Sequence, residues 1–314
     1  TRRNQHRMSS RGVASPGPTL AVFTKNRSNP AYAAARLGAD RTAQRLGART
    51  VHYVPVKPDD VDEQIALIDA AIAQRPDAVL LVPVHPTAIN AAIRKIVDAH
   101  IPLIGYLNRY TEAGPVTFVG SDDYAIGIEI ATYLYAHLGG RGDVVIMEGA
   151  PHSVTSTERV RGFLEAKTRF PGIRIAATVC GHYLREPARD AAAALLASGL
   201  AFDAVLAAND EMALGTITAF DESGRDCVIV GVNAIPDAIS AIKQGKLLAT
   251  ADFDALKISE LATEAAIRHL RGEALPPEII LPVQIVDRTN CAEWDKPFEA
   301  RAPIRWEDAV QSGA

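Results

Sequence analysis

The sequence of 314 residues contains few cysteines, little net charge and no long apolar run, and each shortage excludes a class of protein. Three cysteines are too few for the disulfide framework of a small secreted scaffold, and no CxxC spacing occurs. A formal net charge of −4 offers no attraction for a phosphate backbone, so we do not expect nucleic acid as a partner. Without a stretch of about 18 consecutive apolar residues, the sequence predicts no membrane-spanning segment.

Signatures of metal sites and of common catalytic centres are also missing from the sequence. The eight histidines are scattered without a His-x₃-His or HExxH spacing, so no zinc site is predicted. Neither a GxSxG elbow nor a GxxxxGK[ST] phosphate loop is present. The cysteines leave two interpretations open: three buried thiols at Cys180, Cys227 and Cys291, or, in an exported protein, a Cys227–Cys291 bridge.

The first 18 residues are polar and basic, and then rich in small residues and proline. They lack the apolar stretch of a signal peptide, so either a signal has been removed or the protein is cytosolic. We interpret residues 1–18 as a flexible tail that leads to the first strand.

From residue 19 onward, short apolar runs alternate with longer helical patterns. Residues 78–82 are apolar throughout, which is typical of a parallel strand covered by helices on both faces. Val61, Ile65, Ile68 and Ile72 follow helical spacing. Alternating strands and helices predict right-handed crossovers and parallel sheets. The predicted strands are residues 20–23, 50–54, 78–82, 102–107, 144–147, 175–179, 204–207, 228–230, 248–251 and 283–286, followed by an irregular end.

The chain is too long for one hydrophobic core, and the strand–helix rhythm restarts after Gly120. A hydrophobic fraction of 48% supplies enough apolar residues for two cores. The fold class that these observations predict is α/β, with two doubly wound parallel-sheet lobes.

Polar and aromatic side chains follow many of the predicted strands, at the sheet edge where ligands bind in such folds. Asparagine both donates and accepts hydrogen bonds, and arginine presents a planar fork of donors. A polyhydroxylated ligand needs this mixture, and flat rings suit the faces of a sugar. Taken singly, each asparagine could instead cap a helix, and each arginine could form a surface ion pair. The candidate residues are Asn29, Asn108, Arg109, Arg159, Tyr183, Asn209, Asn233, Asp252 and Phe253.

Residues 209–215, with the sequence NDEMALG, resemble a segment of bacterial periplasmic sugar-binding proteins of the ribose-binding type. These proteins are the type I substrate-binding components of ABC importers. Further matches occur in the same order, at Asn29-Pro30, Asn108-Arg109, residues 119–122, Glu158-Arg159 and residues 245–250. The resemblance covers roughly residues 19–286. It implies a three-segment hinge between an N-terminal lobe (19–121 plus 253–285) and a C-terminal lobe (122–252 plus 286–314).

The resemblance also implies a site and a function. The protein is expected to be a periplasmic monomer whose signal peptide has been removed. It would close on a small-molecule carbohydrate and deliver it to the membrane permease subunits of an ABC importer, with no catalysis, cofactor or metal. Tyr32 and Tyr183 would supply aromatic faces, and Phe253 or Asp252 would close the cleft near the hinge. The residues expected to hydrogen-bond ligand hydroxyls are Asn29, Asn108, Arg109, Arg159, Asn209 and Asn233.

Three departures from the family pattern bear on the ligand. The family usually has aspartate where Asn108 and Asn233 stand, and an aromatic residue where Ala31 stands. An amide accepts with one atom and donates with the other, whereas a carboxylate only accepts. We therefore expect a ligand other than plain ribose: a different sugar, a polyol or a sugar acid. An Arg159→Ala variant should lose ligand binding and keep the melting point of the unliganded protein.

Two other functions are weighed against import. An effector domain of a lac repressor-class transcription regulator resembles the same fold, but such a regulator carries about 50–60 residues of DNA-binding helices upstream. Only the 18 residues of the tail precede the first strand here. An enzyme of another α/β family could use Glu148 or Asp210, and paired carboxylates in one cleft would be its mark.

Overall fold

Two six-stranded sheets form the centres of two lobes in the computed structural model, which describes residues 17–151 and 153–311. The first sheet has the strand order β11-β5-β4-β3-β1-β2 and is parallel throughout. Its strands, numbered in chain order, are β1 (Thr19–Phe23), β2 (Arg49–Tyr53), β3 (Ala78–Leu81), β4 (Leu103–Leu107), β5 (Thr117–Gly120) and β11 (Glu278–Ile280). Most of the predicted tail, residues 1–16, lies outside the described residues.

The second sheet has the order β12-β10-β9-β8-β6-β7, and only β12, at its edge, runs antiparallel to its neighbour. Its strands are β6 (Arg141–Glu148), β7 (Gly172–Cys180), β8 (Ala204–Ala207), β9 (Val228–Val232), β10 (Ala249–Asp252) and β12 (Gln284–Asp287). The helices are α1 (Pro30–Leu46), α2 (Val61–Ala73), α3 (Asn90–Asp98), α4 (Asp123–His137), α5 (Val154–Lys167), α6 (Arg185–Ala197), α7 (Asp210–Ser223), α8 (Pro236–Gln244), α9 (Ala255–Leu270) and α10 (Trp306–Gln311).

Helix α1 shows how the local sequence sets an element. It begins at Pro30 behind the cap residue Asn29, and it ends at Gly47, whose φ of 78° favours glycine. Its alanine-rich face packs closely against α9, where a Cβ on Gly38 would lie 2.5 Å from the carbonyl oxygen of Leu256. This close packing seals one face of the first sheet.

Each sheet has helices on both faces, as the sequence predicted. In the first lobe, one apolar cluster joins the sheet to α1 and α9, and another joins it to α2 and α3. The second lobe holds one cluster with residues from α4, α5, α6, α7 and α8. The predicted fold class, α/β with two doubly wound parallel-sheet lobes, is confirmed.

The chain passes between the sheets after β5, after β10 and between β11 and β12. Lobe boundaries at residues 121/122 and 252/253 are therefore our proposal, in keeping with the predicted three-segment hinge. The predicted boundary at 285/286 would divide β12, whose residues Gln284–Asp287 all pair with β10, so we propose the third boundary just before Gln284. Within the described residues, none of the helices has the length and hydropathy that crossing a bilayer requires.

A fourth passage follows β12, in residues 288–311, which we name the C-terminal strap. Cys291 packs in the apolar cluster of the second lobe, whereas Ile304, Trp306 and Ala309 pack against that of the first. The assignment of residues 286–314 wholly to the C-terminal lobe is therefore wrong, and so is the predicted irregular end, because α10 forms there. Contacts with α9 and β11, more than 25 residues away in the chain, decide this placement.

All three cysteines are free thiols, so the bridge between Cys227 and Cys291 does not form. Only Cys291 is buried, whereas Cys180 and Cys227 are half-buried. The interpretation as unpaired thiols is confirmed, but not their uniform burial.

Candidate functional site

A cavity of about 300 Å³ lies between the lobes, at the carboxyl ends of both sheets. Both lobes line it with side chains that directly follow strands, as expected for doubly wound sheets. Eight of the ten predicted site residues line this cleft: Asn29, Tyr32, Asn108, Arg159, Tyr183, Asn209, Asn233 and Phe253.

Arg159 is the buried cation of the cleft, with only 4% of its surface exposed. Its Nε donates to Asp123 Oδ1 at 2.9 Å, and its Nη1 donates to the carbonyl oxygen of Ala208 at 2.6 Å. The guanidinium lies 5.6 Å from the centre of the Phe253 ring. Burial raises the pKa of Asp123, and the charge of Arg159 opposes that rise. The sequence predicted that Arg159→Ala keeps the melting point of the unliganded protein. The structure instead predicts a lower melting point, because that change leaves the buried carboxylate of Asp123 without its cation.

Asn29 and Asn209 are helix caps whose side chains also face the cleft. Asn29 Oδ1 accepts from the backbone N–H of Ala31 at 2.9 Å, and Asn209 Oδ1 accepts from that of Met212 at 2.9 Å. Asn209 Nδ2 donates to the carbonyl oxygen of Tyr183 at 3.2 Å. The cap alternative holds for both residues, although an amide oxygen has a second lone pair for a ligand.

Asn108 connects the two lobes directly across the cleft. Its Nδ2 donates to Thr155 Oγ1, on α5 of the second lobe, at 2.9 Å. Its Oδ1 accepts from the Tyr32 hydroxyl at 3.3 Å. Burial holds the pKa of Tyr32 well above its usual range, so this phenol remains a hydrogen-bond donor. The lobes therefore touch here in a closed arrangement.

Tyr183 and Asn233 reach the cleft from left-handed backbone. Tyr183 has a φ of 63°, and its ring lies over Gly149, where a Cβ would come within 2.1 Å of the ring. Burial raises the pKa of Tyr183 to about 12. Asn233 has a φ of 124°, and its Oδ1 is buried without a hydrogen-bond partner among the described residues. Asn233 does not cap α8, so its side chain is available to a ligand.

Arg109 and Asp252 do not line the cleft, which corrects two predictions. Arg109 points away from it, pairs with Glu278 at 2.7 Å and lies over the Phe118 ring at 4.2 Å. Asp252 lies at the hinge, where its Oδ2 accepts from Trp294 Nε1 at 2.6 Å. Partners distant in the chain draw both side chains away from the ligand space.

Several residues that line the cleft were not predicted. Asp123 directly follows the crossover residues that carried the resemblance, and a buried arginine needs such a carboxylate partner. Thr155 lies in the first turn of α5, shortly before Arg159. Its contact with Asn108 across the cleft depends on the closed arrangement of the lobes, which the sequence does not reveal. Lys25 and Asp59 follow β1 and β2 on loops whose shape no local pattern specifies.

The cleft combines amide, hydroxyl, guanidinium and ring groups, and its buried cation is already paired with Asp123. In the part of the chain that the structure describes, no three or more His, Cys, Asp or Glu side chains are grouped so as to hold a metal ion. Such walls suit a small molecule rich in hydroxyl groups, held by hydrogen bonds from both lobes. The fold and this cleft define a two-lobed solute-binding protein.

Comparison with known proteins gives the family. The model of the periplasmic binding protein domain matches residues 20–274, and the chain belongs to that family. The prediction of a type I substrate-binding protein is thus confirmed, and the alternative of a transcription regulator is not favoured.

Two curated relatives resemble the chain over most of its length. The ribose import binding protein RbsB of Bacillus subtilis is 29% identical over 267 residues, covering 85% of each chain. A putative rhizopine-binding protein of Rhizobium meliloti is 30% identical over 246 residues, covering 75% of this chain and 79% of the relative.

Two solved structures are similar in fold as well as in sequence. One is an ABC transporter periplasmic solute-binding protein from Actinobacillus succinogenes with bound D-allose, with a TM-score of 0.83 and 29% identity, covering 87% of this chain and 99% of that one. The other is an ABC transporter solute-binding protein from Bacillus halodurans with bound myo-inositol, with a TM-score of 0.81 and 25% identity, covering 90% of this chain and 99% of that one.

Proposed function

We propose that the protein captures an uncharged sugar or cyclic polyol in the cleft and delivers it to the membrane permease subunits of an ABC importer. The single observation behind this proposal is the cleft itself, which receives hydrogen-bonding side chains from both lobes around one small space. A ligand held by both lobes stabilises the closed state, because the open state lacks half of its contacts.

The size and charge of the cleft narrow the ligand class. A volume of about 300 Å³ is at the small end for small-molecule sites and favours one ring over an oligosaccharide. Arg159 is neutralised by Asp123 and Arg185 by Glu211, so a ligand carboxylate would gain little from either cation, and Asp59 of the first lobe would repel it. We therefore favour neutral ligands over the sugar acids that the sequence left open.

Two further relatives and the burial of Asp210 support the remaining parts of the proposal. Relatives include a xylitol-binding protein and a D-ribose/D-allose-binding protein. We propose that this protein works in the periplasm as a monomer, without nucleic acid and without catalysis. Asp210, a candidate for an enzymatic role, is buried behind the cleft with both carboxylate oxygens hydrogen-bonded.

The test is a thermal-shift screen followed by calorimetry with D-ribose, D-allose, xylitol, myo-inositol and D-gluconate. We expect at least one neutral compound to raise the melting point and D-gluconate to leave it unchanged, because only a ligand of the folded state stabilises it. Asn233→Leu should abolish the shift, and the control Arg109→Met should preserve it. Binding of D-gluconate alone, or a shift that depends on Arg109 and not on Asn233, would contradict the proposal.

A further inference from the structure

The turn that carries Asn233 into the cleft has an unfavourable backbone. Asn233 and Ala234 both have positive φ, 124° and 51°, although neither is glycine. Left-handed backbone is uncommon for such residues, and it persists only where the surroundings impose it. The surroundings of this turn should therefore contain groups that hold it.

Asp210 and Thr250 are those groups. Asp210 Oδ2 accepts from the backbone N–H of Ile235 at 3.0 Å, and Asp210 Oδ1 accepts from the Thr250 hydroxyl at 2.7 Å. The same hydroxyl accepts from the backbone N–H of Ala234 at 3.2 Å. Both side chains are completely buried. A Cβ on Gly231 would lie 2.3 Å from Asp210 Oδ1, so the glycine leaves room for the carboxylate.

The hydrogen-bonded group formed by Asp210, Thr250 and the turn lies behind the cleft, and neither Asp210 nor Thr250 lines the cleft. What it presents to the cleft is Asn233, whose buried Oδ1 has no hydrogen-bond partner among the described residues. A buried acceptor left open at a cavity wall is costly unless a ligand donor reaches it. The position of this acceptor is therefore a requirement for the ligand.

We propose that Asp210 and Thr250 are positioning residues, which fix the turn at residues 233–235 so that the Asn233 carboxamide oxygen is aimed at a ligand hydroxyl. This inference rests on the proposed function, because it assigns Asn233 to the ligand. The two residues act before the ligand arrives: they set the turn in the unliganded protein. A preorganised acceptor loses less freedom when the ligand binds.

Thr250→Val tests the proposal, because valine keeps the shape and removes the hydroxyl. Thr216→Val is the matched control. Thr216 is equally buried in the same lobe, and its hydroxyl donates to the carbonyl oxygen of Met212 within α7. Both variants lose one buried hydroxyl, so the control separates the general effect of that loss from the specific loss of the bonds to Asp210 and Ala234.

Two readouts separate this inference from the proposed function. Hydrogen exchange of the unliganded protein should show faster exchange at Ala234 and Ile235 in Thr250→Val and wild-type exchange there in Thr216→Val. Calorimetry with D-allose and myo-inositol should show binding weakened about tenfold in Thr250→Val alone, as the loss of one well-placed hydrogen bond implies. If neither compound nor any other of the neutral screen binds the wild type, the proposed function fails, while the exchange result still decides whether the turn is held.

Asp210 is tested by rescue. In Asp210→Asn, the amide oxygen can still accept from the Ile235 N–H, and the amide nitrogen can donate to the Thr250 hydroxyl oxygen. Asp210→Asn should therefore retain slow exchange at Ile235 and near-normal affinity, whereas Asp210→Leu should lose both. Equal exchange at residues 234–235 in the Thr250 and Thr216 variants, or faster exchange with unchanged affinity, would overturn the assignment.

Discussion

Replacing Arg159 by methionine should destabilise the unliganded protein as well as abolish ligand binding. The guanidinium is almost fully buried, and it is the cation hydrogen-bonded to Asp123, whose side chain is itself only 17% exposed. Methionine fills much of the same volume without charge. Asp123 would then remain in the closed cleft without its partner.

The expected cost follows from that lost pairing. Removing one partner of a buried ion pair costs about 3–5 kcal/mol, because the remaining charge is uncompensated. At roughly 2–4 °C per kcal/mol for a domain of this size, the melting point should fall by at least about 6 °C. The control Arg161→Met, two residues along α5, breaks an exposed pair with Glu158 and a contact with the Tyr124 ring, and it should cost under about 2 kcal/mol.

The assay is urea unfolding of both variants at pH 7 without ligand, together with the double variant Arg159→Met/Asp123→Asn. Because Asp123→Asn removes the unpaired charge, the double variant should regain part of the lost free energy. If Arg159→Met costs no more than Arg161→Met, or if Asp123→Asn gives no recovery, the pair does not support the closed cleft as described.

Three further predictions concern the core, the cleft and the strap. Burial raises the pKa of Asp210 to about 7, above its unfolded value, so the native state favours the protonated form. The contribution of Asp210 to the free energy of unfolding should therefore fall as the pH rises from about 4 to 7. In urea titrations, Asp210→Asn should make the dependence of the unfolding free energy on pH less steep, by up to about 1.4 kcal/mol per pH unit. Gly149→Ala should displace the Tyr183 ring and weaken binding in calorimetry, since the new Cβ would lie 2.1 Å from that ring; unchanged affinity would contradict this role. Trp294→Phe removes the donor to Asp252 and should lower the unfolding free energy by about 1.5–3 kcal/mol in chemical denaturation; no loss would mean that this bond does not stabilise the hinge.

Elements with strong local signals could be predicted from the sequence. Helix α1 has both bounds marked in the sequence, because Asn29-Pro30 is typical of a helix start and Gly47 of a helix stop. Strands β5 and β11 were missed; β11 has only three residues, and it pairs with β5, which lies far earlier in the chain. Helix α10 was also missed. It has only six residues, and it is stabilised by packing against the first lobe, most of which lies far earlier in the chain.

The site divides in the same way. Asn29, Asn209 and Asn233 stand in the loops that follow β1, β8 and β9, and this position predicted their place at the cleft, since the sheet topology sets it. For Arg109, the deciding partner is Glu278, which lies 169 residues further along the chain. No local pattern can report such a partner, and the same holds for the contact of Thr155 with Asn108 across the closed lobes.

The C-terminal strap has a practical consequence for measuring lobe movement. Because it returns to the first lobe, both ends of the described chain lie there: Gly17 beside Gly47, and α10 against β11. A pair of fluorophores attached at these two ends would keep a constant separation whether the protein is open or shut. An optical sensor of ligand binding needs one dye on the second lobe instead, for example at the exposed Leu164 of α5.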